Sequence, residues 1–226
     1  MIEAVIFDMD GLLIDSEPLW RIAETRAMNA IGVPMVEEDG FLTMGLRTDE
    51  VVEYWYARYP WDEPSRREVE GAIVGNVIGL IEERGEALPG AVEAVRGMRA
   101  AGYKVGLASS SATEIIEAVL RKIDLRADFA VLQSAEHEPY GKPHPAVYIE
   151  CARRLDVAPS DCLALEDSPA GVLAAKAARM TCIAIPPPEL RDDSRYCIAD
   201  LQLDSIELFG VETVVALSQE SFPAGS

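Results

Sequence analysis

The chain has 226 residues, 49% of them apolar and 26% charged, which is enough for one large domain or for a core with a smaller second domain. Its formal net charge of −19 repels phosphate backbones and argues against nucleic acid as a ligand. No run of about 18 apolar residues occurs, and Glu3 stands where a secretory signal would carry a base, so we expect a cytoplasmic protein that does not cross a membrane. We also expect a monomer. The cysteines form no CxxC pair and predict reduced thiols rather than a disulfide or a zinc site; they are Cys151, Cys162, Cys182 and Cys197.

Short apolar runs without alternation predict buried strands of a parallel sheet that is covered on both faces. These runs lie at residues 3–7, 103–108, 129–132, 162–165 and 181–185. Helical patterns lie between the later runs, at residues 92–101, 113–122, 146–155 and 169–178. Because strands and helices alternate, the sequence predicts right-handed crossovers and a doubly wound, Rossmann-like α/β core.

The stretch from residue 16 to residue 86 breaks this alternation. Its apolar residues recur every three or four positions, and no segment in it has the pattern of a strand. We therefore expect a small all-helical domain at 16–86, inserted into a core domain made of 1–15 and 87–226. The last residues, 223–226, are small or proline and predict a frayed end.

Two acids, Asp8 and Asp10, directly follow the first predicted strand. In open α/β sheets ligands bind beyond the carboxyl ends of strands, so both acids are placed for a site. Carboxylates this close repel each other unless a cation or a shared proton relieves them, and Mg²⁺ prefers such oxygen ligands. One carboxylate could then attack phosphorus while the other moves a proton. The alternative interpretation is a loop of solvated acids.

Three further polar clusters follow later strands or lie in the loops beyond them. Ser109 and Ser110 precede a predicted helix and offer hydroxyls and backbone N–H groups to an anion, although simple N-capping also explains them. Lys142 lies in a Gly-Lys-Pro turn, either as a compact charge for a phosphoryl group or carboxylate or as a surface lysine. Glu166 and Asp167 end another apolar strand, either as metal ligands or as an acidic first turn of the next helix.

Together these clusters supply a nucleophile, an acid/base group, an anion cradle, a cation and metal ligands. Phosphoryl transfer needs this set, because the reaction depends mainly on positioning and charge neutralisation. All four clusters are expected at one edge of the sheet. The sequence therefore predicts a Mg²⁺-dependent phosphatase that acts on a small phosphorylated metabolite.

Four motifs resemble the signature motifs of the haloacid dehalogenase superfamily: DMDGLLIDSEPLW, GLASSSA, GKPHPAVY and LALEDSPAG. The helical insertion is similar to the C1 cap of its β-phosphoglucomutase-like subfamily, and the resemblance runs from residue 2 to about residue 206. Outside the catalytic motifs, WYARYPW, PSR and AKAARM resemble stretches of the bacterial hexitol phosphatases, also called 2-deoxyglucose-6-phosphate phosphatases.

The resemblance implies that Asp8 is the nucleophile, which forms an aspartyl-phosphate and binds Mg²⁺. It implies that Asp10 is the general acid/base and binds Mg²⁺ through its backbone carbonyl. An aspartate at this second position indicates phosphate-ester cleavage, since dehalogenases typically carry tyrosine there and phosphonatases carry alanine. In the mutases of the subfamily a cap-side histidine assists the acid/base group. Trp20 occupies that position here, which favours a phosphatase over a mutase.

The remaining roles also follow from the resemblance. Ser109 and the backbone of Ser110 hold the phosphoryl oxygens, and Lys142 links the phosphoryl group to the nucleophile. Asp167 is a Mg²⁺ ligand, and Glu166 is either a ligand or a partner of one. The implied substrates are hexose, hexitol or 2-deoxyglucose 6-phosphates. A phosphosugar mutase and a non-catalytic phosphosugar-binding protein are the alternatives.

Two predictions concern side chains of the insertion. The segment 43–47 is a candidate specificity loop in which Arg47 could contact substrate hydroxyls or charge, with a solvent-exposed arginine as the alternative. The aromatic residues are expected to form the core of the cap rather than platforms for a sugar; they are Trp55, Tyr56 and Trp61. His137, near the third motif, is interpreted as a loop residue.

Overall fold

The computed structural model describes residues 1–43 and 45–220 of the chain. Met44 of the predicted specificity loop and the predicted frayed end at 223–226 lie outside the described residues.

The described residues form one parallel sheet of six strands, in the order β3-β2-β1-β4-β5-β6. The strands are β1 Ala4–Phe7, β2 Lys104–Ser109, β3 Val131–Ser134, β4 Cys162–Glu166, β5 Thr181–Ala184 and β6 Leu201–Gln202. The chain moves outward from β1 to β3 and then returns to the opposite side of β1 at β4. The order therefore reverses between β1 and β4, which confirms the doubly wound, Rossmann-like core and marks the crevice where such sheets bind ligands.

Helices cover both faces of this sheet. Successive residues of β1 point to opposite sides, so Val5 and Phe7 join one hydrophobic cluster while Ala4 and Ile6 join the other. Because all four side chains are buried, the strand shows no polar alternation. The helices of the core are α4 Ala91–Ala100, α5 Thr113–Lys122, α6 Ala146–Leu155, α7 Pro169–Ala177 and α8 Val211–Glu220.

One predicted strand is displaced. The apolar run at 129–132 was expected to be the strand, but β3 begins two residues later and ends in Gln133 and Ser134. These polar residues belong to the ladder because their side chains form hydrogen bonds within the protein. Phe129 packs into the core instead. The short strand β6 and the helix α8 carry no predicted counterpart.

Between β1 and α4 the described part of the chain is helical and contains no strand beyond residue 16. Its helices are α1 Glu17–Ala30, α2 Thr48–Arg58 and α3 Arg66–Arg84, with a 3₁₀ helix at Glu37–Leu42. Both α1 and α2 pack on α3, which confirms an all-helical cap. The two connections to the core lie side by side, since Ile14 and Ala87 form an antiparallel bridge. The division of the chain at 16–86 stays a prediction.

Two further features of the described residues are the state of the cysteines and the composition of the helices. The four cysteines are free thiols, and Cys197 is the exposed one. Among the described residues, no helix combines the length and the apolar composition that crossing a bilayer needs.

Candidate active site

The strand register places the catalytic candidates at one edge of the sheet. Phe7 is level with Leu107 of β2 and Leu165 of β4, so the next residues along the three strands lie side by side. A cavity at this edge is bounded by the core below and by the cap above. Six of the seven predicted site residues line it, namely Asp8, Asp10, Ser109, Ser110, Lys142 and Asp167. The seventh, Glu166, lies fully buried beside the cavity.

Lys142 is the centre of a buried charge network. Its Nζ lies 2.6 Å from Asp8 Oδ1 and 2.6 Å from Glu166 Oε1, and it also donates to the Ala108 carbonyl at 3.0 Å. Only 4% of the residue is exposed, so the alternative of a surface lysine is wrong. A buried ammonium is tolerated because two carboxylates and a carbonyl replace its hydration.

The carboxylates outnumber this cation. One carboxylate oxygen from each of Asp8, Glu166 and Asp167 lies within 4.8 Å of the other two. Burial raises the pKa of Asp8 to about 8, with Lys142 opposing and the neighbouring acids adding to the effect. Burial, followed by the charge of Asp8, raises the pKa of Asp167 well above its usual range. A divalent cation with a preference for hard oxygen ligands would favour the ionised forms, so these residues fit Mg²⁺.

Glu166 is engaged more fully than the other two acids. Its Oε1 accepts from Lys142 and from the Tyr148 hydroxyl at 2.6 Å, and its Oε2 accepts from the Ser168 hydroxyl at 3.2 Å. These bonds favour the role of partner to Lys142 over that of a direct metal ligand. The carboxylate also fills the space over Gly171, where a Cβ would overlap its carbon and both oxygens. Glycine therefore lets the first turn of α7 approach the buried acid.

We expect Gly171→Ala to lower the free energy of unfolding by about 1–3 kcal/mol and to reduce activity, because the added methyl must displace the Glu166 carboxylate. The matched control is Gly75→Ala, on an exposed position of α3 with nothing within 4 Å. That change should raise stability by up to about 1 kcal/mol through helix propensity. Urea denaturation of both variants measures the difference. Equal stability of the two would contradict the packing argument.

Asp10 is held by donors from two parts of the protein. Its Oδ1 accepts from the Ser16 hydroxyl at 2.6 Å and from Trp20 Nε1 at 2.9 Å, both at the start of the cap. Its Oδ2 accepts from the Ser111 hydroxyl at 2.6 Å and more weakly from Ser109 at 3.4 Å. The contacts of Ser16 and Ser111 with Asp10 were not predicted from the sequence, although Ser111 belongs to the GLASSSA motif. Ser16 and Trp20 both lie within the first motif, and their four-residue spacing indicates that they share one helix face.

Arg47 contacts backbone carbonyls of the core. Its guanidinium donates to the carbonyls of Ala135 at 3.1 Å and Glu138 at 2.7 Å, in the loop after β3, and it pairs with Asp49. Arg47 therefore joins the start of α2 in the cap to the core. Arg47 does not line the cavity, and only 12% of its side chain is exposed, so the alternative of a solvent-exposed arginine is wrong; its contact with substrate stays a prediction.

The prediction of cap-core aromatic residues is confirmed for Trp55 and Trp61, whereas Tyr56 is only partly buried and lies outside the hydrophobic cluster. Trp55 is buried in the cap and Trp61 packs edge-on against Tyr56, and none of the three lines the cavity. His137 is exposed at the end of a short 3₁₀ turn.

Two acids of α1 that the sequence analysis missed also line the cavity. Burial raises the pKa of Glu17 to about 7, and the charge of Asp10 adds to this effect. Burial likewise raises the pKa of Glu24 to about 7, although the Thr43 hydroxyl, which donates at 2.9 Å, opposes it. The two acids are seven residues apart and so lie on one helix face, a spacing that the sequence contains.

The raised pKa of Glu24 predicts a dependence of stability on pH. The folded protein keeps this proton up to about pH 7, whereas the unfolded chain releases it near pH 4.5, so stability falls as pH rises through that window. We expect Glu24→Gln to remove this loss and to raise the free energy of unfolding by about 1–3 kcal/mol at pH 8. The gain should be smaller at pH 5.5. Urea denaturation at both values measures it, and a gain independent of pH would disprove the assignment.

Comparisons with known proteins agree with this geometry. The model of the haloacid dehalogenase-like hydrolases matches residues 2–179. Hexitol phosphatase B of Escherichia coli strain K12 is 50% identical over 204 residues, which cover 90% of this chain and 92% of the relative. The crystal structure of CbbY from Rhodobacter sphaeroides in complex with phosphate has a TM-score of 0.82 at 29% identity, over 94% of this chain and 98% of that one. A β-phosphoglucomutase from Clostridium difficile has a TM-score of 0.85 over 98% and 99% of the two chains; at 24% identity, it shows the fold alone.

Proposed function

We propose that this chain, which belongs to the haloacid dehalogenase-like hydrolases and is a phosphatase, hydrolyses the monophosphates of hexitols and related sugars with the aid of Mg²⁺. The observation that carries the proposed mechanism is the buried contact of 2.6 Å between Asp8 and Lys142, in a cavity that also contains Asp10. The substrate class rests on the similarity to hexitol phosphatase B. The monomeric state and the cytoplasmic location stay predictions.

In the first step, Asp8 attacks phosphorus. Its Oδ1 accepts from Lys142, so the other carboxylate oxygen forms the new P–O bond. The bond from phosphorus to the sugar oxygen breaks, and Asp10 gives its proton to that leaving oxygen. The product on the protein is an aspartyl-phosphate at Asp8.

In the second step, Asp10 takes a proton from water, which attacks the aspartyl-phosphate and releases inorganic phosphate. The hydrogen bonds of Asp10 assign the oxygen that carries the proton. An indole N–H can only donate, so Oδ1, which accepts from Trp20, stays unprotonated. A serine hydroxyl can donate or accept, so Oδ2 beside Ser111 can hold the proton. This arrangement favours hydrolysis over the mutase alternative, in which a histidine would stand at residue 20.

The phosphoryl oxygens are held by groups around the nucleophile. Ser109 and Ser110 precede α5, and the Ser110 hydroxyl is buried without a partner among the described residues, so it can donate to an oxygen of the substrate. Lys142 neutralises part of the charge. Mg²⁺ would be held by Asp8, Asp167 and the carbonyl of Asp10, and it would supply further charge neutralisation. A chain with this complete set does not fit the non-catalytic alternative.

We expect the purified protein to release inorganic phosphate from a hexitol 6-phosphate and from 2-deoxyglucose 6-phosphate in the presence of Mg²⁺. Removal of divalent ions with EDTA should lower the rate at least about 100-fold, since the clustered carboxylates lose their counter-charge. Excess Mg²⁺ should restore it. A phosphate-release assay with analysis of the remaining sugar measures both points. A rearranged sugar phosphate in place of free phosphate would establish the mutase instead.

We expect Asp8→Asn to lower turnover by about 10³-fold or more, because an amide cannot form the phosphoenzyme. Asp62→Asn, at an exposed position of the cap, is the control for loss of one negative charge. The assay measures phosphate release, and intact mass after acid quench detects the phosphoenzyme in the wild type. Turnover by Asp8→Asn within about tenfold of the wild type would refute the nucleophile.

A further inference from the structure

We propose that Glu24, together with Glu17 on the same face of α1, selects substrates whose part beyond the phosphate is neutral and rich in hydroxyl groups. The inference rests on the proposed function, because it concerns the far end of the same cavity. It assigns a specificity role to two acids that the catalytic steps do not use.

The cavity places these acids along the path of the substrate. The phosphoryl group is fixed at Asp8, and the leaving oxygen lies at Asp10. The helix α1 begins beside Asp10, since Trp20 donates to that carboxylate. Glu17 and Glu24 line the cavity from the same helix, and their seven-residue separation spans about 10.5 Å along the axis. A substrate that leaves Asp10 along α1 therefore passes the carboxylates in turn.

Glu24 is short of donors for a buried acid. Only 5% of the residue is exposed, and Thr43 is its one hydrogen-bond donor among the described residues. Arg21, one turn earlier on the helix, also lines the cavity, but its guanidinium lies 4.8 Å from the ring centre of Phe41 and forms no ion pair with Glu24 among the described residues. A carboxylate has about four lone-pair sites, so Glu24 keeps acceptor capacity that faces the cavity.

This capacity determines the class of ligand. Above its pKa of about 7, Glu24 is an ionised carboxylate that accepts hydrogen bonds and donates none, so hydroxyl groups of a sugar or sugar alcohol are suitable partners. A second phosphate or a carboxylate at the same place would bring like charges together in a partly desolvated cavity, which is strongly unfavourable. Glu24 thus both attracts polyol monophosphates and rejects bisphosphates and phosphorylated acids.

Steady-state kinetics at pH 8.5, where Glu24 is ionised, tests this role with three probes. The probes are a hexitol 6-phosphate, the corresponding 1,6-bisphosphate, and p-nitrophenyl phosphate, which offers no hydroxyl beyond the phosphate. For Glu24→Gln we expect the ratio of kcat/KM for bisphosphate to that for monophosphate to rise at least tenfold. The ratio for monophosphate to p-nitrophenyl phosphate should fall at least tenfold, mainly through KM. Glu53→Gln, an exposed acid of α2 paired with Arg66, should keep both wild-type ratios.

A second variant distinguishes the effect of the charge of Glu24 from the effect of its side-chain length. Glu24→Asp keeps the charge but shortens the side chain, so it should still reject the bisphosphate while it loses preference for the hexitol over p-nitrophenyl phosphate. If both variants keep the wild-type ratios while all proteins turn over the probes, this inference fails and the proposed function stands. If the wild type releases phosphate from none of the probes, both proposals fail.

Discussion

The site depends on one interaction, the sharing of the buried Lys142 ammonium between Asp8 and Glu166. Each partner comes from a different segment, so the charge network forms only when β1, β4 and the loop before α6 are in place. Either acid alone in this position would be a costly buried charge. The network therefore links the correct assembly of the sheet edge to the availability of the nucleophile. It also explains why Gly171 and Tyr148 matter, since both act on the position of Glu166.

The core and the placement of the catalytic residues could be predicted from the sequence because they depend on local patterns. Buried strands are continuous apolar runs, and parallel strands bring their carboxyl ends to one edge, so Asp8 and Glu166 had to be neighbours. The displaced strand β3 shows the limit of this approach. Gln133 and Ser134 have hydrogen-bond partners elsewhere in the fold, namely Arg154 and the Ser111 carbonyl, and a local pattern carries no information about those partners.

The same limit applies to the cap. The role of Arg47 depends on carbonyls about ninety residues away along the chain, which no spacing within the insertion could indicate. The sequence shows that Trp20 occupies the position of the cap-side histidine of the mutases. Its hydrogen bond to Asp10 depends on the geometry of α1, which the sequence does not show. Glu24 could not be identified as a site residue from the sequence for another reason. An acid within an amphipathic helix is ordinarily solvated, and only the packed cap shows that this one is buried.

The paired connections at Ile14 and Ala87 constrain how the two parts can move. Both crossings of the chain are joined by backbone hydrogen bonds, so a movement of the cap relative to the core would turn about this ribbon. Trp20 and Ser16 follow directly in the chain and would travel with that swing, away from Asp10. Each opening would then strip two donors from the acid/base group and expose it to water. Substrate entry and the hydrogen bonds that hold Asp10 would in this way be coupled through a single hinge.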